Sequence, residues 1–169
     1  MLLVNWLDIV IMIIFVGAIV GGLGRGIIKQ GISLAAILVS VFVAGQYYDV
    51  PGRFLTRFTA DANLSNLLGF AIGFVVISIA TGIVVDRVPA RKKRIALGGL
   101  DRFVAALLGL AVGAVLVTTF LIALLTFPYA GLNVAADEAR FGPILINNFG
   151  FVLNLLPEAF QAARGLLGG

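Results

Sequence analysis

The chain has 169 residues, of which 61% are hydrophobic and 12% charged, with mean hydropathy +1.13 and formal net charge +4. A water-soluble domain would be roughly half apolar and about a quarter charged, so too few polar residues remain to cover a surface in water, and an integral membrane protein is implied. The chain contains neither His nor Cys, which excludes disulfides, thiol nucleophiles, zinc or haem held by those residues, and the Ser-His and Cys-His nucleophile systems.

The N-terminus lacks the basic segment of a cleavable signal and its apolar run is span-sized, so residues 3–23 are read as a retained first span. Asn5 followed three positions later by Asp8 resembles a capping arrangement. An acid in the first turn suits the positive end of the helix dipole, and Trp6 suits the membrane interface. Two readings of Asp8 stay open: a helix-start residue at the head-group level, or an intramembrane ionisable group facing a pore or partner. Gly17 and Gly21, four apart, carry a small-residue packing signal.

The segment Gly22-Leu23-Gly24-Arg25-Gly26, with Lys29 after it, reads as a short bent connection with its cations at the lipid head groups. It lacks Gly-Lys-Ser/Thr and a preceding strand, which argues against a phosphate cradle. A second span follows over 27–47, with Gly31, Ala35, Ala36, Ser40 and Ala44 as a small-residue stripe. Tyr47 and Tyr48 mark its far interface. Arg53 and Arg57 lie four apart, with Phe54, Leu55 and Phe58 on another face, which predicts a short helix lying in the interface.

A third span is predicted over 64–85. The stretch 86–102 then holds six of the twelve Lys and Arg residues, with Arg91, Lys92, Lys93 and Arg94 at its centre and Pro89 to stop the preceding helix. The fourth span, 103–127, carries Ala105, Gly109 and Gly113 at four-residue intervals. Asp101 is expected either to cap this helix while Arg102 snorkels to the head groups, or to pair with Arg25 and lock the two halves together.

Residues 1–130 therefore read as a four-span membrane domain, and 131–169 as an amphipathic tail, interfacial or re-entrant. Within the tail, the apolar 143–156 segment would extend only about 21 Å as a helix, short of a bilayer core of about 30 Å. The fold class is all-α: about four transmembrane helices in two hairpins, plus short interfacial helices. Eight of the twelve cations fall in the loops at 25–29 and 86–102. Burying each would cost about 2.5–3.5 kcal/mol, so Arg91 to Arg94 are the topology-determining residues, holding their loop in the cytoplasm with both termini outside. The expected partners are the bilayer, its anionic head groups, and a second copy or another membrane protein. Nucleic acid, cofactor and metal are not expected.

The early acid Asp8, the run Gly22-x-Gly24-Arg25-Gly26, and Asp101-Arg102 leading into Gly109 and Gly113 resemble the colicin V production protein family over roughly residues 3–130. Three positions depart from the family pattern. Ala105 stands for a glycine, Val112 for an arginine, and Gln30 for a frequent acid. The resemblance implies a bacterial inner-membrane protein without catalytic activity, a helical scaffold supporting toxin export and biosynthesis or envelope maintenance. The alternative from a different class is a small oligomeric channel or transporter subunit. With no paired intramembrane carboxylates, and with Lys29 at the head-group end of the second span as the one Lys within a span, an intramembrane enzyme is disfavoured.

Overall fold

The computed structural model describes residues 5–87 and 98–161. Arg91, Lys92, Lys93 and Arg94, and the side chain of Arg25, lie outside the described residues. Among those described, the secondary structure is helical throughout, and four helical segments are long and apolar enough to cross a membrane.

The first two predicted spans form one helical run, α1 (Trp6–Tyr47), interrupted only at Gly26 (φ 74°, ψ 164°). Its legs are Trp6–Gly24 and Gly26–Tyr47. The bent connection expected over several residues thus contracts to one. Only glycine occupies this backbone region without a Cβ clash, so a single residue can redirect the helix. The first leg starts where Asn5 caps it, its Oδ1 accepting from the Leu7 N–H at 3.2 Å. At 1.5 Å per residue, its 19 residues extend about 28 Å, close to the thickness of a bilayer core.

Next comes α2 (Asp49–Leu55), then α3 (Ala62–Arg87). Asp61 caps α3, accepting from the N–H groups of Asn63 and Leu64 at 2.8 and 3.2 Å. The fourth span, α4, runs Gly98–Thr126. It begins earlier than expected, which corrects one reading of Asp101: the residue lies inside the first turn and is not the cap. The tail holds α5 (Leu132–Asp137), α6 (Phe141–Phe149) and 3-10 turns at Gly150–Leu155 and Glu158–Gln161.

The central helix is α4. In its apolar window 61% of residues are buried, against 22% in each of the other three spans. It meets the first leg in antiparallel order, Gly22 against Ala105 and Gly109, then Ala18 against Gly109 and Gly113. Asn5 donates to the Ala135 carbonyl at 2.7 Å, and the Tyr48 and Phe127 rings lie 5.3 Å apart. Both ends of α1 therefore reach the C-terminal end of α4, and Gly26 lies near its N-terminal end. The second leg packs against α3, where Ser40 and Thr81 share a hydrogen bond of 3.3 Å.

The tail closes the end opposite Gly26. Phe160, fully buried, sits among Tyr48, Phe70 and Phe127, with centroid distances of 5.4, 5.3 and 5.3 Å. Such edge-to-face and tilted pairs contribute about 0.5–1.5 kcal/mol each beyond area burial. They join α3, the last 3-10 turn, and the residues that directly follow α1 and α4 at one point.

Candidate functional site

The residues singled out in the sequence meet at two places along the first leg. The larger is a seam between this leg and α4. A Cβ built on Gly22 would lie 2.5 Å from the Ala105 carbonyl oxygen, and one on Gly109 would collide with the Ala18 carbonyl oxygen. Gly113 faces the Ala18 methyl and the Phe15 ring, at 3.0 and 3.2 Å from a hypothetical Cβ. The two backbones therefore touch directly. In lipid there is no hydrophobic force between helices, so close backbone packing and Cα–H···O contacts must hold them together. Ala105 is fully buried in the same seam. The alanine that stands for the family's glycine thus keeps a place in the packing.

At the end of the seam, the Asp101 Oδ2 lies 3.7 Å from where a Gly26 Cβ would be. The second leg begins here, and the first N–H groups of a helix have no acceptor within it. A carboxylate at that position is favoured by the partial positive charge of the helix end, by about 0.3–1 kcal/mol in exposed cases. Gly26 leaves room for the carboxylate to approach. Arg102 is exposed. The proposed partner of Asp101, the Arg25 side chain, lies outside the described residues.

The second place is the opposite end of the leg. Asp8 is the third residue of α1, as the helix-start reading requires. Its side chain, however, is turned inward beside Leu7 and Ile11 and is only 3% exposed. Neither carboxylate oxygen has a hydrogen-bond partner among the described residues. A buried polar group left in this way is costly, which sets Asp8 apart from a solvent-exposed helix-start carboxylate.

Three further features were not legible in the sequence. Gln30, one turn into the second leg, is 3% exposed and its Oε1 has no hydrogen-bond partner among the described residues. Between the second leg and α3 runs a cleft of about 90 Å³ that includes Ser33, Ser78 and Thr81 in its lining. The third is a crossing of α2 and α3, where a Cβ on Gly69 would lie 2.5 Å from the Tyr48 carbonyl oxygen and 2.7 Å from the Gly52 nitrogen. The glycines themselves were the available signal, but their spacing does not say which helix each would meet. Among the described residues, no group of three or more acidic side chains converges to hold a metal ion.

The family model described as colicin V production protein matches residues 7–150, which include both ends of the seam. A Haemophilus influenzae protein named colicin V production protein homolog is 29% identical over 161 residues, covering 95% of this chain and 96% of that protein. The Escherichia coli K12 colicin V production protein is 25% identical over 162 residues, covering 96% and 97% respectively. No solved structure matches.

Proposed function

This chain belongs to the colicin V production protein family, and from that premise we propose that it is a non-enzymatic scaffold of the bacterial inner membrane. It would support toxin export and biosynthesis or envelope maintenance by holding another membrane protein, or a second copy of itself, against its spans. In this reading the four spans form two hairpins. The loop at 86–102 is cytoplasmic, held there by Arg91 to Arg94 and by anionic head groups, and both termini are outside. The helix α2 and part of the tail lie in the outer interface, with Phe54 and Phe58 toward the acyl chains and Arg53 and Arg57 toward phosphates.

One observation carries this reading: the uneven burial of the spans. α4 is largely enclosed, whereas the other three bury only 22% of their apolar windows. The exposed face of the first leg includes Ile9, Ile13, Val16 and Val20, and that of α3 includes Ile72, Val76, Ile79 and Ile83. A bundle this thin keeps most of its intramembrane surface available to neighbours. Photo-crosslinking from Ile13 and Val16 in native membranes, followed by identification of the adducts, tests it. Adducts with a defined membrane protein are expected. Crosslinks to lipid alone would remove the scaffold reading, and self-adducts alone would assign the partner as a second copy of this chain.

A second reading, a small channel or transporter subunit, is favoured by the hydroxyl-bearing cleft between the second leg and α3. Conductance of the purified protein in planar bilayers separates the two. An absence of ion flux across voltage and pressure ranges would count against the channel.

A further inference from the structure

We propose that Gly26 is a pivot between two rigid helix pairs, and that Asp101 is the latch that holds the pivot closed. The first pair is the first leg with α4. Their backbones touch at Gly22, Ala105, Gly109 and Ala18, and side chains cannot re-pack across so close a contact. The second pair is the second leg with α3, joined through Ser40 and Thr81 and tied together at its far end by the α2 crossing. One residue connects the pairs within α1, and it is the one helical residue with positive φ among those described. A residue with glycine's freedom can change φ and ψ while the helices on either side stay intact.

Two observations place a switch at this joint. Asp101 belongs to the first pair, yet its carboxylate lies against the residue that starts the second. It supplies negative charge where the second leg's unpaired N–H groups begin. Gln30, one turn further on, is buried with an acceptor oxygen that has no partner among the described residues. None of those residues supplies it a donor in the closed arrangement, and opening at the pivot would return it to water or head groups. At the opposite end Asp8 is likewise buried without a partner among the described residues, but there the Phe160 ring packs on Tyr48, Phe70 and Phe127 and ties the helix ends together. Motion about the line from Gly26 to the aromatic cluster would therefore part α3 from α4 at their Gly26 end, while both ends of that line hold. This inference does not depend on the identity of any partner.

Distance measurement between spin labels on the full chain in liposomes tests it. The chain has no Cys, so introduced cysteines are labelled uniquely. Labels at Val84 on α3 and Phe103 on α4, both exposed, report across the pairs. Labels at Val20 and Phe103 report within the first pair. Asp101→Asn and Asp101→Ala should lengthen and broaden the Val84–Phe103 distribution and leave Val20–Phe103 unchanged. Asp101→Glu, which keeps the charge, should restore the parent distribution. An unchanged Val84–Phe103 distribution in both neutral variants overturns the latch. Equal lengthening of both label pairs also overturns it, since that outcome makes Asp101 a support of the whole fold.

Discussion

Ala18 and Gly109 meet backbone to backbone: no side chain beyond hydrogen fits at Gly109 without striking the Ala18 carbonyl oxygen. Within the same first leg, Gly17 has nothing within 4 Å of where its Cβ would be. Gly17, one residue before Ala18, thus lacks the close contact that Gly109 makes, and the difference is measurable.

Gly109→Ala should destabilise the protein by about 1–3 kcal/mol, the usual cost of overpacking a tight contact. Gly17→Ala should be neutral or stabilising by up to about 1 kcal/mol, because alanine is the better helix former. Reversible unfolding in mixed detergent micelles would compare the two. Equal effects would mean that the seam is not a backbone contact.

Gly26→Ala is expected to lower stability by about 1–3 kcal/mol, since φ 74° with ψ 164° lies in a region that is essentially glycine-only. Gly31→Ala, in open space on the second leg, is the matched control and should not. The same unfolding titration reads both, and a tolerated alanine at 26 would mean that the joint is not held at positive φ.

Asp8 bears on stability and function separately. A buried carboxylate without partners contributes nothing that an apolar side chain of similar size cannot supply. Asp8→Leu should therefore leave unfolding unchanged or raise stability by about 1 kcal/mol, while failing to complement a deletion strain. A stability loss larger than about 1 kcal/mol would show that the carboxylate has a structural partner instead.

Phe160→Ala should cost about 3–5 kcal/mol, the range for removing a fully enclosed aromatic side chain, and should expose the tail to limited proteolysis. A proteolysis pattern equal to the parent's would show that the tail is anchored elsewhere.

Replacing Arg91, Lys92, Lys93 and Arg94 with Gln should give mixed membrane orientation, because the cationic bias is what retains a loop in the cytoplasm. A cysteine introduced at Ala60, labelled in intact cells with a membrane-impermeant maleimide, reads the orientation. The labelled fraction should fall in the variant. Unchanged labelling would place the determinant at Arg25 and Lys29.

Four helices long and apolar enough to cross a membrane, and the position of the short α2 helix, were legible in the sequence. The reason is that charges and aromatics bound long uncharged runs, and burying charge in a bilayer is expensive. The helix starts at Asn5 and Asp61 follow from capping chemistry in the same local way. What the sequence did not carry is which face of each helix is inside. In water, alternating polar and apolar faces mark the core. In lipid, the solvent is as apolar as the protein interior, so Gly17 and Gly22, or Ile11 and Ile13, look alike in the chain. Tertiary packing alone turned Gly22 toward α4 and left Gly17 outside. It also turned Asp8 inward, joined the first two spans through Gly26, and brought Asp101 from 75 positions along the chain to that same glycine. Contacts of that kind depend on how close two backbones can come, a property of the assembled helices and not of either one.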